Sequence, residues 1–465
     1  MLQLQCNFNT KILNIGCYIL NIFKNHDQQS NVNNKLSSSC ITLLIKLAVL
    51  IFVCVKINMK KFISGFLILF LFCNLHVSGG GFQMLSQSHS SAGMAGAVIA
   101  LQTDGSVIFY NPGGMVFLEK SNVFGGISYS QSRIAFRSNN SGLVDRTESK
   151  NMLPFYLGGT IKLSEKMAAG IVINTPFGYN TTWKSDWEGR YIVLSAKLNT
   201  LFIQPTFSYK ISEKLGIGAG FVFASANYKW NRALIVADGA DAQFDGKATG
   251  FGFNAGINYA INKKLTAALT YRSKVKLNFK NTDVTFSNIP ASLANQYPAS
   301  ANATAEMPLP SVLSIGFSYE VIRGLKLNFE TNLNGWSSFD SLNYEFDAPN
   351  TTLNDEFRQA RKYRDALSLR LGAMYKISDK VTGRAGIAFD QTPVKENYMT
   401  PDMPDGDRYV FGIGASFNVS KTFVIEGSYS FETKAEREGI NKDTGLNGAF
   451  NTLSHCFGVG VNYSF

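Results

Sequence analysis

The chain ends on Leu453-Ser454-His455-Cys456-Phe457-Gly458-Val459-Gly460-Val461-Asn462-Tyr463-Ser464-Phe465. Leu453, His455, Phe457, Val459, Val461, Tyr463 and Phe465 fall on odd positions; Ser, Cys, Gly and Asn take the even ones. Period two is the signature of a strand, with each set on its own face. In a soluble sandwich the large residues would face a core. Here the opposite face is small and uncharged. Large residues outside and small ones inside is the pattern of a transmembrane barrel strand, with lipid on one side and a lumen on the other. Tyr463 and Phe465 suit the aromatic girdle at a membrane interface.

The same alternation recurs upstream. Tyr409, Phe411, Ile413, Ala415, Phe417 and Val419 oppose Val410, Gly412, Gly414, Ser416 and Asn418. Leu215, Ile217, Ala219, Phe221 and Phe223 form another apolar set. Between such segments one tight polar turn keeps returning: Leu163-Ser164-Glu165-Lys166, Ile211-Ser212-Glu213-Lys214, Ile261-Asn262-Lys263-Lys264, Val321-Ile322-Arg323-Gly324, Ile377-Ser378-Asp379-Lys380 and Val419-Ser420-Lys421-Thr422. Six turns each join a pair of strands. With one strand before and one after, they predict fourteen, and an even count puts both termini on the short-turn, periplasmic side. Longer loops are expected near 138–149, 181–190, 233–247, 282–307, 339–364, 393–407 and 437–450.

Composition agrees. The 465 residues are 17% charged and 13% aromatic, with 41 Gly. That charged fraction is well below the roughly 25% of soluble domains. The formal net charge of +11 has the sign of a nucleic-acid binder. Its location removes that reading: residues 1–79 hold seven Lys and one Asp, leaving 37 basic and 32 acidic residues downstream. No nucleic-acid partner is expected.

Met59-Lys60-Lys61, the apolar run from Phe62 to Leu71 and the small exit at Ser78-Gly79 form a signal peptide, 59–79. Residues 1–58 then read as an upstream extension outside the native protein. The competing reading makes Ile41 to Val55 a membrane segment, although Lys46 interrupts it and it is short for a span of about 20 residues. Five of the six cysteines precede the expected cleavage site, so only Cys456 remains and no intrachain disulfide or cysteine metal cluster is expected.

Residues 80–120 break the strand pattern. Ser86-Gln87-Ser88-His89-Ser90-Ser91-Ala92-Gly93-Met94-Ala95-Gly96-Ala97 is small, polar and neither charged nor repetitive. A disordered tail is one reading. The other is a hatch packed inside the barrel, because fourteen strands enclose more lumen than their own side chains fill. The fold class is therefore an all-β, 14-stranded antiparallel transmembrane barrel over 121–465, plugged by an N-terminal hatch over 80–120.

Gly81-Phe82-Gln83, Asn111-Pro112 and the terminal aromatic strand resemble the FadL/TodX outer-membrane transporters of long-chain fatty acids and other hydrophobic compounds. Further resemblance lies in Pro176-Phe177-Gly178, Trp187-Glu188-Gly189-Arg190-Tyr191, Gly335-Trp336-Ser337-Ser338-Phe339, Ile387-Ala388-Phe389-Asp390-Gln391-Thr392-Pro393-Val394 and Pro404-Asp405-Gly406-Asp407-Arg408-Tyr409. It covers about 80–465. It implies capture of an amphipath in an outer apolar groove, passage to a pocket inside, and sideways exit through a gap at a kinked third strand when the hatch shifts. Arg364 stands where the family has a basic residue thought to contact the ligand head. A second basic position falls on Ser225.

In the third strand, Pro176 lacks a ladder donor and Gly178 weakens pairing, so either the strand breaks there or Pro176 ends it. A fatty-acid carboxylate calls for a cation, and Arg binds carboxylate bidentately. Arg364, Arg190, Arg408, Lys229 and Arg232 are the candidates; each is otherwise a salt-bridge partner in the lumen. Phe82, Met84, Leu85 and Phe109 are expected apolar ligand contacts, or else plug-to-wall packing. Asn111 and Pro112 are expected to form a hatch hinge touching the kinked strand. Passive uptake is expected, since 80–120 shows no energy-coupling segment; aromatic hydrocarbons, other lipids or a general porin are the alternatives. No enzyme activity, metal or cofactor is expected, because only His89 and His455 remain as bases after residue 79. Beyond the ligand, the partners expected are outer-membrane lipid and the barrel-assembly machinery through Phe465, with the barrel a monomer.

Overall fold

Alternation becomes geometry along Leu215–Ala233, where Val222, Ala224, Ala226, Tyr228 and Trp230 are buried while Phe221 and Lys229 are exposed. The computed structural model describes residues 80–346 and 359–465; the expected upstream extension (1–58) and signal peptide (59–79) lie outside the described residues. Fourteen antiparallel staves form one sheet closed on itself. They are β1 Asn122–Ser138, β2 Phe155–Ser164, β3 Met167–Asn174 with Gly178–Thr182, β4 Ser195–Ser212, β5 Leu215–Ala233, β6 Asp241–Ala260 and β7 Leu265–Arg272 with Val275–Ser287. Then come β8 Ser300–Leu309 with Val312–Ile322, β9 Leu325–Asn334, β10 Ala366–Lys376, β11 Val381–Asp390, β12 Arg408–Asn418, β13 Phe423–Ile440 and β14 Asn447–Ser464. β1 pairs β14 from Asn122 opposite Ser464 to Ser138 opposite Gly448, which leaves no open edge.

All six tight turns fall where the sequence placed them. At the fourth, Gly324 adopts φ +85°, a conformation that favours glycine. Outward residues such as Val459 and Phe251, each 62% exposed, form the lipid-facing band. Three expected loops are shorter than the sequence implied. Residues 437–450 shrink to 441–446, since β13 and β14 stay paired to Ile440 opposite Asn447. Residues 233–247 and 282–307 shrink to 234–240 and 288–299, because β6, β7 and β8 keep pairing beyond the apolar band, as at Val284 opposite Phe244 and Asp283 opposite Asn302. Backbone groups stay satisfied in that extension while Asp245 and Asp283 point outward to water.

Residues 80–120 lie inside the barrel and are almost wholly buried from 85 to 118. They carry a short helix α1, His89–Gly93, a helical turn α2, Val107–Tyr110, and a 3₁₀ helix, Pro112–Phe117. Charged wall side chains hold the hatch by its backbone. Glu330 accepts from the N–H groups of Val98 and Ile99 at 2.9 and 3.1 Å. Arg272 donates to the Phe109 carbonyl at 2.7 Å, Arg370 to that of Ala95 at 3.2 Å and Arg408 to that of Gln83 at 3.3 Å. The His89 ring lies against Gly458 and Gly460 of β14, where a β-carbon would collide with it, and bonds Ser428 at 3.0 Å.

Candidate functional site

The small lumen face read from the last strand holds for part of the lower barrel, where buried charges such as Glu330, Arg370 and Arg408 stand among the glycines and serines. The upper lumen is aromatic. Leu198 and Phe202 from β4, Tyr228 and Trp230 from β5, Phe244 from β6, Phe279 from β7 and Met307 from β8 point inward into one apolar cluster. Loop residues Trp183, Trp187, Phe339, Leu342 and Tyr344 cover it together with Phe450 of β14, and Trp183 stacks on Trp187 at 4.2 Å. This cluster ends below on Phe82, whose ring meets Trp336 at 4.9 Å, Tyr179 at 5.6 Å and Phe177 at 6.0 Å.

Beneath Phe82 is a cavity of about 130 Å³. The hatch from Gly81 to Ser86, the β3 residues Gly178 to Thr181, Met403 and Arg408 line it, and Lys150, Met152 and Pro154 of the first loop extend the lining sideways. A second cavity, about 70 Å³, shares Gln83, Met84 and Leu85 with the first and is lined further by Phe109, Tyr110, Arg272, Glu330 and Arg370. Residues 83–85 thus partition the two.

β3 breaks at Pro176 and resumes at Gly178, so the proline does not end the strand. The resumed part pairs β4 one residue out of step: Asn174 faces Phe202 and Gly178 faces Asn199. On its other side, ladder pairing with β2 stops at Tyr156 opposite Asn174. The hatch fills the missing ladder from inside. Met84 donates to the Pro176 carbonyl at 2.9 Å, Gly178 donates to the Phe82 carbonyl at 3.2 Å, and Gln83 bridges Phe177. Gln87 Nε2 reaches the Thr175 carbonyl at 3.0 Å, and Thr200 bonds both backbone groups of Phe177. The wall's own Thr200 satisfies Phe177, but the Thr175 and Pro176 carbonyls and the Gly178 N–H are met by residues 82–87.

The expected cations divide by position. Arg408 lines the first cavity, but Asp390 and Glu432 engage it at 2.5 and 3.3 Å. Lys229 faces outward, 57% exposed and paired with Asp245 at 2.5 Å, because strand alternation gives the inward places to Tyr228 and Trp230. It is withdrawn from the lumen. Arg190 lies over the Tyr191 ring at 4.5 Å, and Arg232 over Trp230 at 5.6 Å. Arg364 sits in the fifth long loop, its N–H bonded to the Pro393 carbonyl, outside the lining of either cavity. Ser225 is on the outer face of β5, so no basic group stands there.

Phe82, Met84 and Leu85 line the first cavity and Phe109 the second, under the Arg272 guanidinium at 4.1 Å. Asn111 and Pro112 are seated elsewhere than at the break. Asn111 caps the 3₁₀ helix through Gly113 and donates to the Ile99 and Ile257 carbonyls at 2.9 and 3.3 Å, and Pro112 packs on Gly218 of β5. Residues 82–87 make the contact with β3 instead.

Three groups that shape the site were not singled out from the sequence. Trp336 and Asp405 were visible only inside quoted motifs; Trp336 floors the chamber beside Phe82, and Asp405 accepts from the Gly81 N–H at 3.3 Å. Arg361, fully buried, clamps Asp402 at 2.7 Å. Burial alone would raise the Asp402 carboxyl, but the Arg361 charge and hydrogen bonds hold it below its ordinary range. The pair ties the fifth long loop to the sixth, whose Pro401 and Asp402 carbonyls accept from Trp183 and Thr181 of the β3 side.

A closed barrel with an internal hatch, an aromatic upper chamber and a broken stave is a plugged transmembrane channel. The chain belongs to the outer membrane protein transport protein family (OMPP1/FadL/TodX), whose model matches residues 71–465. It is an outer-membrane protein of a family that transports hydrophobic compounds. It is 25% identical over 432 residues to the long-chain fatty acid transport protein of Salmonella typhi, covering 83% of this chain and 94% of that one. The crystal structure of a Pseudomonas aeruginosa FadL homologue is similar at a TM-score of 0.73, with 21% identity over 83% of this chain and all of that one. The Ralstonia pickettii toluene transporter TbuX is similar at 0.64, with 16% identity over 84% of this chain and 99% of that one.

Proposed function

We propose that the protein takes up long-chain fatty acids passively, capturing them in the aromatic upper chamber and releasing them sideways into the membrane at the β3 break. The observation that carries this reading is the hatch strand at residues 82–84. It floors the apolar chamber through Phe82 and also supplies the hydrogen bonds that close the break at Pro176 and Gly178. A ligand that displaces Phe82 pulls on the same three residues that seal the wall, so entry and exit are coupled through one short segment. Apolar lining gives the hydrophobic affinity, at about 25 cal/mol per Å² of ligand surface buried. The relative named as a long-chain fatty acid transport protein supports an acyl substrate.

One observation favours a second reading, neutral aromatic hydrocarbons. The cations lining the first cavity already have carboxylate partners: Lys150 with Glu148 at 2.7 Å, Arg408 with Asp390, and Lys434 with Asp405 at 2.7 Å. A neutral ligand needs none of them released. Mass spectrometry of ligands extracted from the purified protein separates the two, fatty acids supporting the first and their absence beside retained aromatics the second. The lateral route is tested by joining Gln83 to Phe177 as a Q83C/F177C disulfide in a Cys456→Ser background. Oxidation is expected to block uptake and reduction to restore it; equal uptake in both states would sink the lateral gate.

A further inference from the structure

Outside the barrel, β6 and β7 part company at the upper edge of the apolar band, beside Phe251 and Phe253. Their ladder runs to Arg272 opposite Asn254 and restarts only at Asn278 opposite Thr249. The gap leaves a dent of about 790 Å³ in the outer wall. Lys247, Lys274 and Lys280 stand around it, all outward and exposed. Lys247 and Lys280 are next to each other, since Ala248 faces Phe279 in the ladder. Among the described residues, none of the three has a carboxylate at ion-pair distance. Two neighbouring outward lysines do: Lys276 pairs with Glu306 at 3.1 Å and Lys229 with Asp245 at 2.5 Å. Across the barrel, Arg137 is likewise paired, with Glu436 at 3.0 Å.

The height of this cluster is set by the band below it. On β6 the outward side chains climb from Tyr259 through Ile257, Phe253 and Phe251. At about 3.3 Å per residue and a tilt near 40°, that climb is roughly 20 Å, most of a transmembrane barrel's apolar band. Past Thr249, Lys247 and its neighbour Lys280 stand at head-group level on the long-loop side, while Lys274 leaves β7 beside Gly252, level with Phe251 and Phe253, and its long side chain lines the same dent. The floor beneath Lys247 and Lys280 is an aromatic ledge: Phe251 meets Phe221 and Phe223 at 5.9 and 5.6 Å, and Phe253 meets Tyr271 at 5.8 Å.

We propose that this dent binds the phosphorylated head of a glycolipid in the outer leaflet, of the lipid A type. The unpaired lysines match its phosphates, and the ledge matches its acyl chains. A free phosphate would use only the first half of that surface. Three unpaired cations side by side repel one another, and an anion between them removes the repulsion. Seated there, the lipid would cover the one stretch of wall where β6 and β7 lack their ladder.

The test uses the full chain in phosphatidylcholine nanodiscs, with bis-phosphorylated lipid A as the probe and native mass spectrometry as the readout. The K247Q/K274Q/K280Q variant is compared with K214Q/K263Q/K264Q, which changes the same charge at the short-turn end. Each lysine near a charged lipid surface contributes about fivefold, so the first variant should lose retention on the order of a hundredfold and the second should keep it. Dephosphorylated lipid A should bind the unaltered chain weakly. Equal retention by both variants, equal binding of the dephosphorylated lipid, or full competition by phosphatidylglycerol or inorganic phosphate would each overturn the assignment. Unchanged content of the chamber's hydrophobic ligand in both variants confirms that the barrel has folded.

Discussion

The lower and upper lumens of one barrel are built from opposite materials. Below, glycine, serine and buried ion pairs hold a hatch by its backbone, through Glu330, Arg370, Arg272 and Arg408. Above, the same strands turn aromatic, and the loops close over Phe202, Tyr228, Phe244 and Phe279. Polar contacts have direction, so they fix where the hatch sits. Apolar contacts have little, so the upper chamber can exchange its own packing for a ligand's. The two meet at residues 82–85, which belong to both.

Deleting residues 80–115 should break the comparison most severely. Conductance in planar bilayers should rise at least about tenfold, because an unplugged barrel of this width leaves an aqueous lumen; unchanged conductance would mean the hatch does not block the pore. Arg408→Gln comes next. It strips Asp390 and Glu432 of a buried partner and releases the Gln83 carbonyl, at a cost of about 3–5 kcal/mol. Faster amide exchange at Gln83–Leu85 checks it, and native exchange rates there would show that Arg408 does not hold the hatch.

A pH titration sharpens the lower half. Burial pushes His89 from 6.5 down to about 4, so the docked hatch holds it neutral. A released hatch carries an ordinary histidine. Between pH 6.5 and 4 the released state takes up a proton that the docked state refuses, so docking weakens as pH falls through that window. The loss is up to about 3 kcal/mol. Above pH 6.5 no dependence on His89 is expected, and His89→Gln should flatten the profile of hatch protection measured by exchange. The smallest effect belongs to Lys229→Gln. An exposed pair contributes about 0–1 kcal/mol, and this one faces away from the lumen, so uptake and ligand content should stay unchanged; reduced ligand content would return Lys229 to the site.

Much of this was legible in the chain itself. Strand count, turn positions and the lipid-facing residues follow from period-two alternation, because a strand must send neighbouring side chains to opposite faces. The Pro176 and Gly178 break was legible for the same local reason: a missing donor cannot be restored by distant sequence. Tertiary structure decided what fills that break, since residues 82–87 lie about ninety positions away and their backbone bonds leave no mark on residue identity. It also decided the fate of the cations. Lys229 and Arg408 look alike in sequence, yet alternation turns one out to water and the other inward, where it is buried against Asp390 of the neighbouring stave. A charge's identity is local, but its partner is set by the register of the adjacent stave, Asp245 opposite Lys229 and Asp390 opposite Arg408, and its burial by what packs inside the barrel.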